Sequence, residues 1–327
     1  MIYKDKIYGK IEIKDPLIKE IIFAPSFQRL KGIDQAGYFE PYFPKTSFSR
    51  YEHSIGVYIL LKKFKVDFKE QVAGLLHDIS HTVFSHSVDY ALDEGCPKTQ
   101  SFQDKIFKNF LEKTEIPLIL KKYNFPLDFL FSHHNFPLLE RPLPELCADR
   151  IDYSLRAGFH HKEISFEKIQ KFLKDFCVID KKWVFKNETT AKEFAKLFLK
   201  LNCKYFSSEI AAVVLGTTGN LLRYALEQKY ISKEDLFTED KIVIQKIKKY
   251  LPRDKKLQIL FARFSKKIKF KNNPQNFDYH IFCKSRIVDP FFIKKGQIKK
   301  LSQVDKKWKE IIKKELRPKE YFIKFEE

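Results

Sequence analysis

The sequence predicts a mainly α-helical protein with a smaller α+β region at its C-terminal end. Apolar residues recur at helical spacing in most segments up to about residue 250. After about residue 260 the pattern changes to short stretches in which apolar and polar residues alternate. Hydrophobic residues make up 44% of the 327 positions, which is enough to bury a packed core. We therefore expect a helical body followed by a smaller mixed region.

The predicted elements follow from these patterns in chain order. Residues 1–15 alternate as a strand or hairpin does, and a helix then begins at Pro16 with Asp15 as its cap. Apolar spacing predicts further helical segments at residues 51–61, 68–76, 102–110, 128–131, 143–155 and 166–172. The rest of the chain is predicted as a hairpin at 177–187, long helices at 189–206 and 207–228, strands at 264–270 and 278–293, and a basic helix at 303–314. A short tail follows that helix.

Charge and cysteine content narrow the class of protein. The 62 Lys and Arg residues exceed the 42 Asp and Glu residues and give a formal net charge of +20. This excess attracts the phosphates of nucleotides, nucleic acid or lipids, although a lysine-rich composition alone would also produce it. The five cysteines are scattered without a CxxC pair, which argues against a disulfide framework and a cysteine zinc site and fits a reducing cytoplasm. We see no signal-peptide pattern and no apolar run of membrane-spanning length.

Four polar motifs lie in otherwise apolar, helix-like surroundings. They are residues 50–54 (RYEHS), 77–86 (HDISHTVFSH), 133–134 (HH) and 149–153 (DRIDY). Imidazole nitrogens and carboxylate oxygens together suit divalent ions such as Mn, Fe, Co, Ni and Zn. A helix that carries His77 also carries His81 on the same face, so one could bind a metal while the other faces the ligand of that metal. Facing helices of a bundle can bring such side chains to one point.

Each motif alone also has an ordinary structural explanation. A single histidine on an apolar helix is usually a core or surface residue, and an isolated His-Asp dipeptide carries little information. Asp149 and Asp152 could flank Arg150 as a surface ion-pair cluster. The ordered combination of a histidine, a His-Asp pair and a distant aspartate, each on a predicted helix, favours a shared metal site.

The motifs also resemble those of a known family. The segments FQRLKGIDQAG (27–37), SRYEHSIGV (49–57), AGLLHDISHTVFSH (73–86) and ELCADRIDYSLRAG (145–158) are similar to HD-domain metal-dependent phosphohydrolases, in the branch of the dNTP triphosphohydrolases. The resemblance is strong over residues 15–165 and looser afterwards, where KSRIVDP is one of the matching stretches. It implies an HD-domain helical bundle as catalytic core at 1–165, a helical extension at 166–250 and a basic α+β appendage at 251–327.

The resemblance assigns roles to individual residues. It implies one divalent ion, with Mn, Fe, Ni, Co, Zn and Mg as candidates, and four ligands for it: His53, His77, Asp78 and Asp149. It implies catalytic parts for Arg50, which would hold substrate phosphates, and for His81. Substrate contacts are implied for Gln35, His86, Arg150 and Tyr153.

Two positions depart from the pattern of the family. Gln100 stands where the family keeps a further histidine, and Ala157 stands where its dNTPases keep an aspartate that contacts the sugar 3′-hydroxyl. One of the pair His133 and His134 could serve in place of the missing histidine, and His134 is our candidate. Some two-metal relatives carry such a pair, so a second metal at His133 and His134 remains an alternative.

These observations predict a (d)NTP triphosphohydrolase-like enzyme in which metal-activated water attacks a phosphate. We expect a nucleotide substrate, a cytoplasmic homo-oligomer and no membrane partner. One alternative is a phosphomonoesterase or phosphodiesterase with another phosphorylated substrate. Another is a nucleotide- or nucleic-acid-binding regulator with a degenerate site, because the basic segment 241–271 would give weak binding to nucleic acid.

Overall fold

The protein, analysed as a computed structural model that describes residues 1–326, is mainly helical with small sheets. The helices are α1 (Pro16–Phe23), α2 (Pro25–Gln28), α3 (Arg50–Lys63), α4 (Phe68–Leu76), α5 (Phe102–Leu111), α6 (Ile116–Lys122), α7 (Ala148–His160), α8 (Phe166–Asp175), α9 (Glu188–Leu201), α10 (Glu209–Glu227), α11 (Asp240–Lys248), α12 (Lys255–Ser265), α13 (Leu301–Val304) and α14 (Lys306–Glu315). The strands are β1 (Ile2–Asp5), β2 (Gly9–Glu12), β3 (Phe176–Ile179), β4 (Lys182–Phe185), β5 (Phe270–Asn272), β6 (Tyr279–Cys283), β7 (Phe291–Lys294), β8 (Gln297–Lys300) and β9 (Lys319–Phe325). The predicted fold class is confirmed.

Local sequence signals explain where the main helices begin. The side chain of Asp15 accepts a hydrogen bond from the Ile18 amide, so it caps α1 as predicted. Ser49 and Glu52 form a reciprocal capping box at the start of α3. These caps satisfy amides that have no partner inside the helix, and they fix the point from which α3 presents its first turn. α3 packs against both α4 and α7, and this contact places the candidate site.

The strands form three sheets. β1 and β2 pair as the antiparallel hairpin predicted at the N-terminus. The four-stranded sheet has the order β3-β4-β7-β8, in which β4 and β7 are parallel and join the C-terminal region to the helical body. The three-stranded sheet has the order β5-β9-β6, so its central strand is the last one in the chain.

Several predicted elements differ from the structure. The helix predicted at 143–155 begins only at Ala148, and the segment at 128–131 is part of a 3₁₀ turn. The strand predicted at 264–270 is wrong except at Phe270, where β5 begins: α12, which is capped by Asp254, continues to Ser265, and residues 266–269 lie in a connection outside any strand. The strand predicted at 278–293 is two strands, β6 and β7, which lie in different sheets. The tail contains β9.

One large cluster of buried side chains connects the three predicted segments. It includes Ile55 from the first segment, Phe198 from the second and Trp308 from the third. The side-chain packing is therefore continuous across residues 165 and 250. The division of the chain into three domains at these residues stays a prediction. Within residues 1–326, no helix has both the length and the apolar character that crossing a membrane requires.

Candidate active site

Three helices bring the polar motifs together. α3 supplies Arg50 and His53, the residues that follow α4 supply His77 and Asp78, and α7 supplies Asp149 near its first turn. The expectation that His77 and His81 share a helix face is wrong, because α4 ends at Leu76. Arg29 gives a physical reason, since its guanidinium donates to the carbonyls of Ile79 and His81 and holds this stretch in a non-helical path.

Two imidazoles point their free nitrogens at the same place. His53 Nδ1 donates to Asp152 Oδ1 at 2.8 Å, and His77 Nδ1 donates to the Gly74 carbonyl at 2.8 Å. These bonds leave the Nε2 lone pair of each ring available, and the two Nε2 atoms lie 3.2 Å apart. Asp149 Oδ1 lies 3.0 Å from His53 Nε2 and 3.6 Å from His77 Nε2. Two imidazole lone pairs and a carboxylate oxygen that converge in this way fit a divalent cation.

The fourth predicted ligand stands at the edge of this group. Ligand atoms of His53, His77 and Asp149 all lie within 4.8 Å of one another, and Asp78 is not part of that set. Its Oδ2 lies 3.7 Å from His53 Nε2 and its Oδ1 lies 3.5 Å from His77 Nε2. The stronger contacts of Asp78 are with Arg50 Nη1 at 2.6 Å and with His81 Nε2 at 3.2 Å.

In the absence of a metal, the neighbouring carboxylates favour the protonated forms of His53 and His77. Burial opposes protonation of His77, but the charge of Asp78 and the contacts with Asp149 outweigh it and raise the pKa of His77 to about 9. Burial would raise the pKa of Asp78, but Arg50 and His77 hold it well below its usual range. Because an imidazole binds metal in its neutral form, metal binding at this group releases a proton.

A buried ion-pair network holds the His53 ring at its Nδ1 atom. Asp152 accepts from His53, and it also accepts from Arg156 Nε at 3.0 Å and from Arg156 Nη2 at 2.9 Å. Arg156 Nη2 in turn reaches Asp5 Oδ2 at 3.1 Å, in the N-terminal hairpin. The surface ion-pair explanation for Asp152 is therefore wrong, because its side chain and that of Arg156 are fully buried. The spacing of Asp152 and Arg156, four residues apart on a helix, is the signal that indicates this pair in the sequence.

Two adjacent cavities lie beside the candidate metal group. The larger has a volume of about 920 Å³, and His77, Asp78, Asp149 and several cationic side chains line it. The smaller has a volume of about 120 Å³, and six Phe and Tyr rings are among the residues that line it. Four residues line both cavities: Gln35, His86, Tyr153 and Arg286. We call the larger cavity the large chamber and the smaller cavity the aromatic chamber.

The predicted substrate and catalytic residues lie around these chambers. Gln35 Oε1 and Tyr153 Oη are buried and have no hydrogen-bond partner among the described residues. Burial and the nearby Arg50 hold the pKa of His81 well below its usual range, and burial lowers the pKa of His86 to about 4. Both rings are therefore neutral near pH 7. His134 is exposed on a 3₁₀ turn at the wall of the large chamber.

The two predicted arginines already have ionic partners. Arg50 donates to Ser85 Oγ at 2.7 Å and to the Gln35 carbonyl at 2.9 Å, besides its pair with Asp78. Arg150 Nη2 pairs with Glu140 Oε1 at 3.0 Å, and its Nη1 donates to backbone carbonyls. Both guanidinium groups therefore form an ion pair within the protein while they line the large chamber.

The positions that depart from the family's pattern lie at the aromatic chamber. Ala157 lines that chamber. Gln100 is buried, and its Oε1 accepts from Arg286 Nη2 at 2.8 Å. Arg286 and its neighbour Lys284, which both line the large chamber, were not predicted as site residues. The stretch KSRIVDP contains both residues, so this resemblance was the signal that could have pointed to them.

Comparisons with known proteins place this geometry in a family. The HD domain matches residues 50–157, which include α3, α4 and most of α7. The protein YdhJ of Bacillus subtilis is 34% identical over 88% of this chain and 86% of its own length. The metal-dependent phosphohydrolase cns2 of Cordyceps militaris is 36% identical over 60% of this chain, which spans about half of that protein.

Two further similarities are more limited. The deoxynucleoside triphosphate triphosphohydrolase SAMHD1 of Mus musculus is 34% identical over 37% of this chain and 21% of its own length. A crystal structure of a phosphohydrolase from Bacteroides thetaiotaomicron superposes with a TM-score of 0.72 over 100% of both chains at 18% identity, which shows a shared fold. The HD-domain match, the extended match to YdhJ and the match to cns2 confirm the resemblance to HD-domain phosphohydrolases. The chain belongs to the HD-domain family of metal-dependent phosphohydrolases, which are hydrolases that use a divalent metal.

Proposed function

We propose that this protein hydrolyses nucleotides, as a (d)NTP triphosphohydrolase-like enzyme. The observation that carries the proposal is the junction of an aromatic chamber and a large cationic chamber beside the His-Asp group. Aromatic walls suit a nucleobase, and a chamber of about 920 Å³ has room for a chain of phosphates. The match to SAMHD1 supports this substrate class, although it covers only part of either chain.

We propose that one divalent ion, with Mn²⁺ as the first candidate, is held by His53, His77 and Asp149, with Asp78 as a further ligand. Such an ion supplies Lewis acidity towards a phosphoryl oxygen and a water of lowered pKa. Asp152 and the Gly74 carbonyl fix the tautomers of the two imidazoles, so both Nε2 atoms face the ion without reorganisation.

The other side chains would act on the substrate. Neutral His81 lies within reach of Asp78 and can hold a proton near the reacting phosphate. Gln35 and Tyr153 have buried polar atoms with no hydrogen-bond partner in residues 1–326, so they can hydrogen-bond the nucleoside where the chambers meet. His86 lines both chambers and would contact the phosphate chain at that point. His134, at the chamber wall, would serve in place of the histidine that Gln100 replaces.

A nucleotide panel with a metal series tests the proposal. The metal-stripped protein is supplied in turn with Mn²⁺, Fe²⁺, Co²⁺, Ni²⁺, Zn²⁺ and Mg²⁺, and the products from (d)NTPs are separated by ion exchange. Release of inorganic triphosphate and nucleoside supports the proposal. Release of orthophosphate from phosphate monoesters, with nucleoside triphosphates left intact, would instead indicate the phosphomonoesterase alternative.

Three finer expectations from the sequence remain proposals. We propose that the protein self-associates, that it works in the cytoplasm and that its binding to nucleic acid is weak. Light scattering coupled to size-exclusion chromatography tests the first, and location of a tagged chain in its own cell tests the second. Tight oligonucleotide binding with a steep salt dependence and no turnover would favour the regulator alternative.

A further inference from the structure

The segment between β6 and β7 carries two cations into the large chamber. Lys284 and Arg286 both line that chamber, and Arg286 also lines the aromatic chamber. Both belong to the C-terminal region, more than 120 residues after the last HD-domain motif. The predicted appendage therefore forms part of the chamber wall, at the point where a phosphate chain and a nucleoside would be joined.

Within residues 1–326 neither cation has a carboxylate in direct contact. Asp104 and Glu140 act on Lys284, and Asp149 acts on Arg286, only from a greater distance. Arg286 donates to Gln100 Oε1 at 2.8 Å and to the Lys284 carbonyl at 3.1 Å. Burial and the neighbouring Arg286 lower the pKa of Lys284 to about 8. Two neighbouring cations that are largely shielded from water, with no carboxylate in direct contact, are unfavourable, so an anion bound between them would stabilise this pair of side chains.

Arg50 and Arg150, the phosphate ligands predicted from the sequence, differ from Lys284 and Arg286 because each is in direct contact with a carboxylate. Arg50 is paired with Asp78 and Arg150 is paired with Glu140. A phosphate that approached either arginine would have to compete with a carboxylate that is already in contact. Among the described residues, no carboxylate is in direct contact with Lys284 or Arg286, so a phosphate would meet weaker competition there.

The position of the segment is fixed by a buried polar network. Asn202 Oδ1 accepts from the Arg286 amide at 2.9 Å, and Asn202 Nδ2 donates to Ser285 Oγ and to Glu315 Oε2, both at 3.0 Å. Asn202 begins a π-helical turn after α9, and π-helical turns often occur at functional sites. The backbone that carries both cations is thus held from two sides, by this turn and by α14.

We propose that Lys284 and Arg286 bind the phosphate chain of the substrate, and that Arg50 and Arg150 act as positioning residues that hold the metal group and the chamber wall. Arg286, at the junction of the chambers, would contact the phosphate next to the sugar, and Lys284 would contact the phosphates beyond it. The inference rests on the proposed function for its ligand class, a polyphosphate attached to a nucleoside.

Inorganic tripolyphosphate is the direct probe, because it lacks a nucleoside. Its binding to the full-length, metal-stripped protein is measured by isothermal titration calorimetry at physiological ionic strength. We expect Arg286→Gln and Lys284→Gln each to weaken binding at least tenfold, because each removes a charge-assisted contact in a desolvated site. Lys307→Gln, which removes an exposed charge on α14, is the matched control and should bind as the wild type does.

Kinetics of the metal-loaded enzyme give the second readout. Both variants should raise KM for the nucleotide at least tenfold, and Arg286→Lys should recover part of the loss. Thermal melting shows whether each variant folds. If Arg286→Gln does not fold, Lys284→Gln is the variant to use, because the Lys284 side chain makes no hydrogen bond within residues 1–326.

The outcomes separate this inference from the proposed function. If the wild type hydrolyses nucleotides while both variants keep its tripolyphosphate affinity and KM, the function stands and the inference is overturned. If the wild type hydrolyses no nucleotide but the variants lose tripolyphosphate binding, the cation site stands and the substrate is a different polyphosphate. A wild type that binds no tripolyphosphate overturns the inference.

Discussion

Replacing Asp152 by Asn tests how the buried network supports the metal group. In the wild type, Asp152 accepts hydrogen bonds only, from the Nδ1–H of His53 and from two N–H groups of Arg156. An asparagine at this position has one oxygen and one NH₂ group. Whichever way the amide turns, its NH₂ faces a donor on His53 or on Arg156.

The structure sets the expected magnitudes. Breaking a buried ion pair costs about 3–5 kcal/mol of the free energy of unfolding, and because Arg156 keeps Asp5 as a partner, we expect about 3 kcal/mol. Loss of the bond that orients a ligating histidine typically weakens metal binding about 10–100-fold. Asp152→Asn should therefore lower both stability and metal affinity.

Asp5→Asn is the matched control. Asp5 shares Arg156 with Asp152 but makes no recorded bond to His53, so its replacement should cost stability and leave metal affinity unchanged. Urea unfolding of the metal-free proteins measures the first quantity, and calorimetric titration with Mn²⁺ measures the second. Equal losses of Mn²⁺ affinity in the two variants, or wild-type affinity in Asp152→Asn, would refute the role assigned to the Asp152–His53 bond.

Three further predictions test the packing and the chambers. Gly56→Ala places a Cβ that would overlap Arg156 Nη2 and Asp152 Oδ2, so we expect urea unfolding to show a loss of about 1–3 kcal/mol and calorimetry to show weaker Mn²⁺ binding. Burial lowers the pKa of Lys284 to about 8, so its ammonium group loses its charge as the pH rises through that value. KM for the nucleotide should therefore rise between about pH 7 and 9. Lys284→Arg should flatten this pH dependence, because arginine keeps its charge over that range. Ala157→Leu fills part of the aromatic chamber and should raise KM for nucleotides at least tenfold while the affinity for inorganic tripolyphosphate stays at the wild-type value.

Each of these has a contradicting result. Wild-type stability of Gly56→Ala would show that the network tolerates a larger residue there. For Lys284, the direction of the pKa shift can also be tested by measuring the free energy of unfolding as a function of pH. The ammonium group keeps its proton up to about pH 10.4 in the unfolded chain but only up to about pH 8 in the folded chain. The contribution of this group to the free energy of unfolding therefore rises with pH across that window, and a fall would contradict the assignment. Loss of tripolyphosphate binding in Ala157→Leu would mean that the two chambers do not divide the substrate as proposed.

Local signals in the sequence were sufficient for most of the helical body. The Asp15 cap and Pro16 fixed the start of α1, and the apolar spacing of residues 68–76 matched α4 at both ends. Such features act within one or two turns of helix, so the sequence contains them directly. The order of the motifs also identified the family, because each motif needs only its own residues to be recognised.

Contacts between distant residues account for what the sequence could not predict. The non-helical path after α4 depends on Arg29, about 50 positions earlier, which donates to the carbonyls of Ile79 and His81. Asp152 and His53 meet across 99 residues, so nothing near either one indicates the bond. The same holds for Arg286 and Gln100, which are 186 residues apart and meet at the junction of the chambers. Long-range packing of this kind depends on the whole fold.

The most direct test of the account is to locate the metal. Crystals of the wild type soaked in MnCl₂ are measured above and below the Mn absorption edge, and the anomalous difference map is calculated. The account expects one strong peak in contact with the Nε2 atoms of His53 and His77 and with Asp149. A map without a peak there, or with a peak only at His133 and His134, would contradict it.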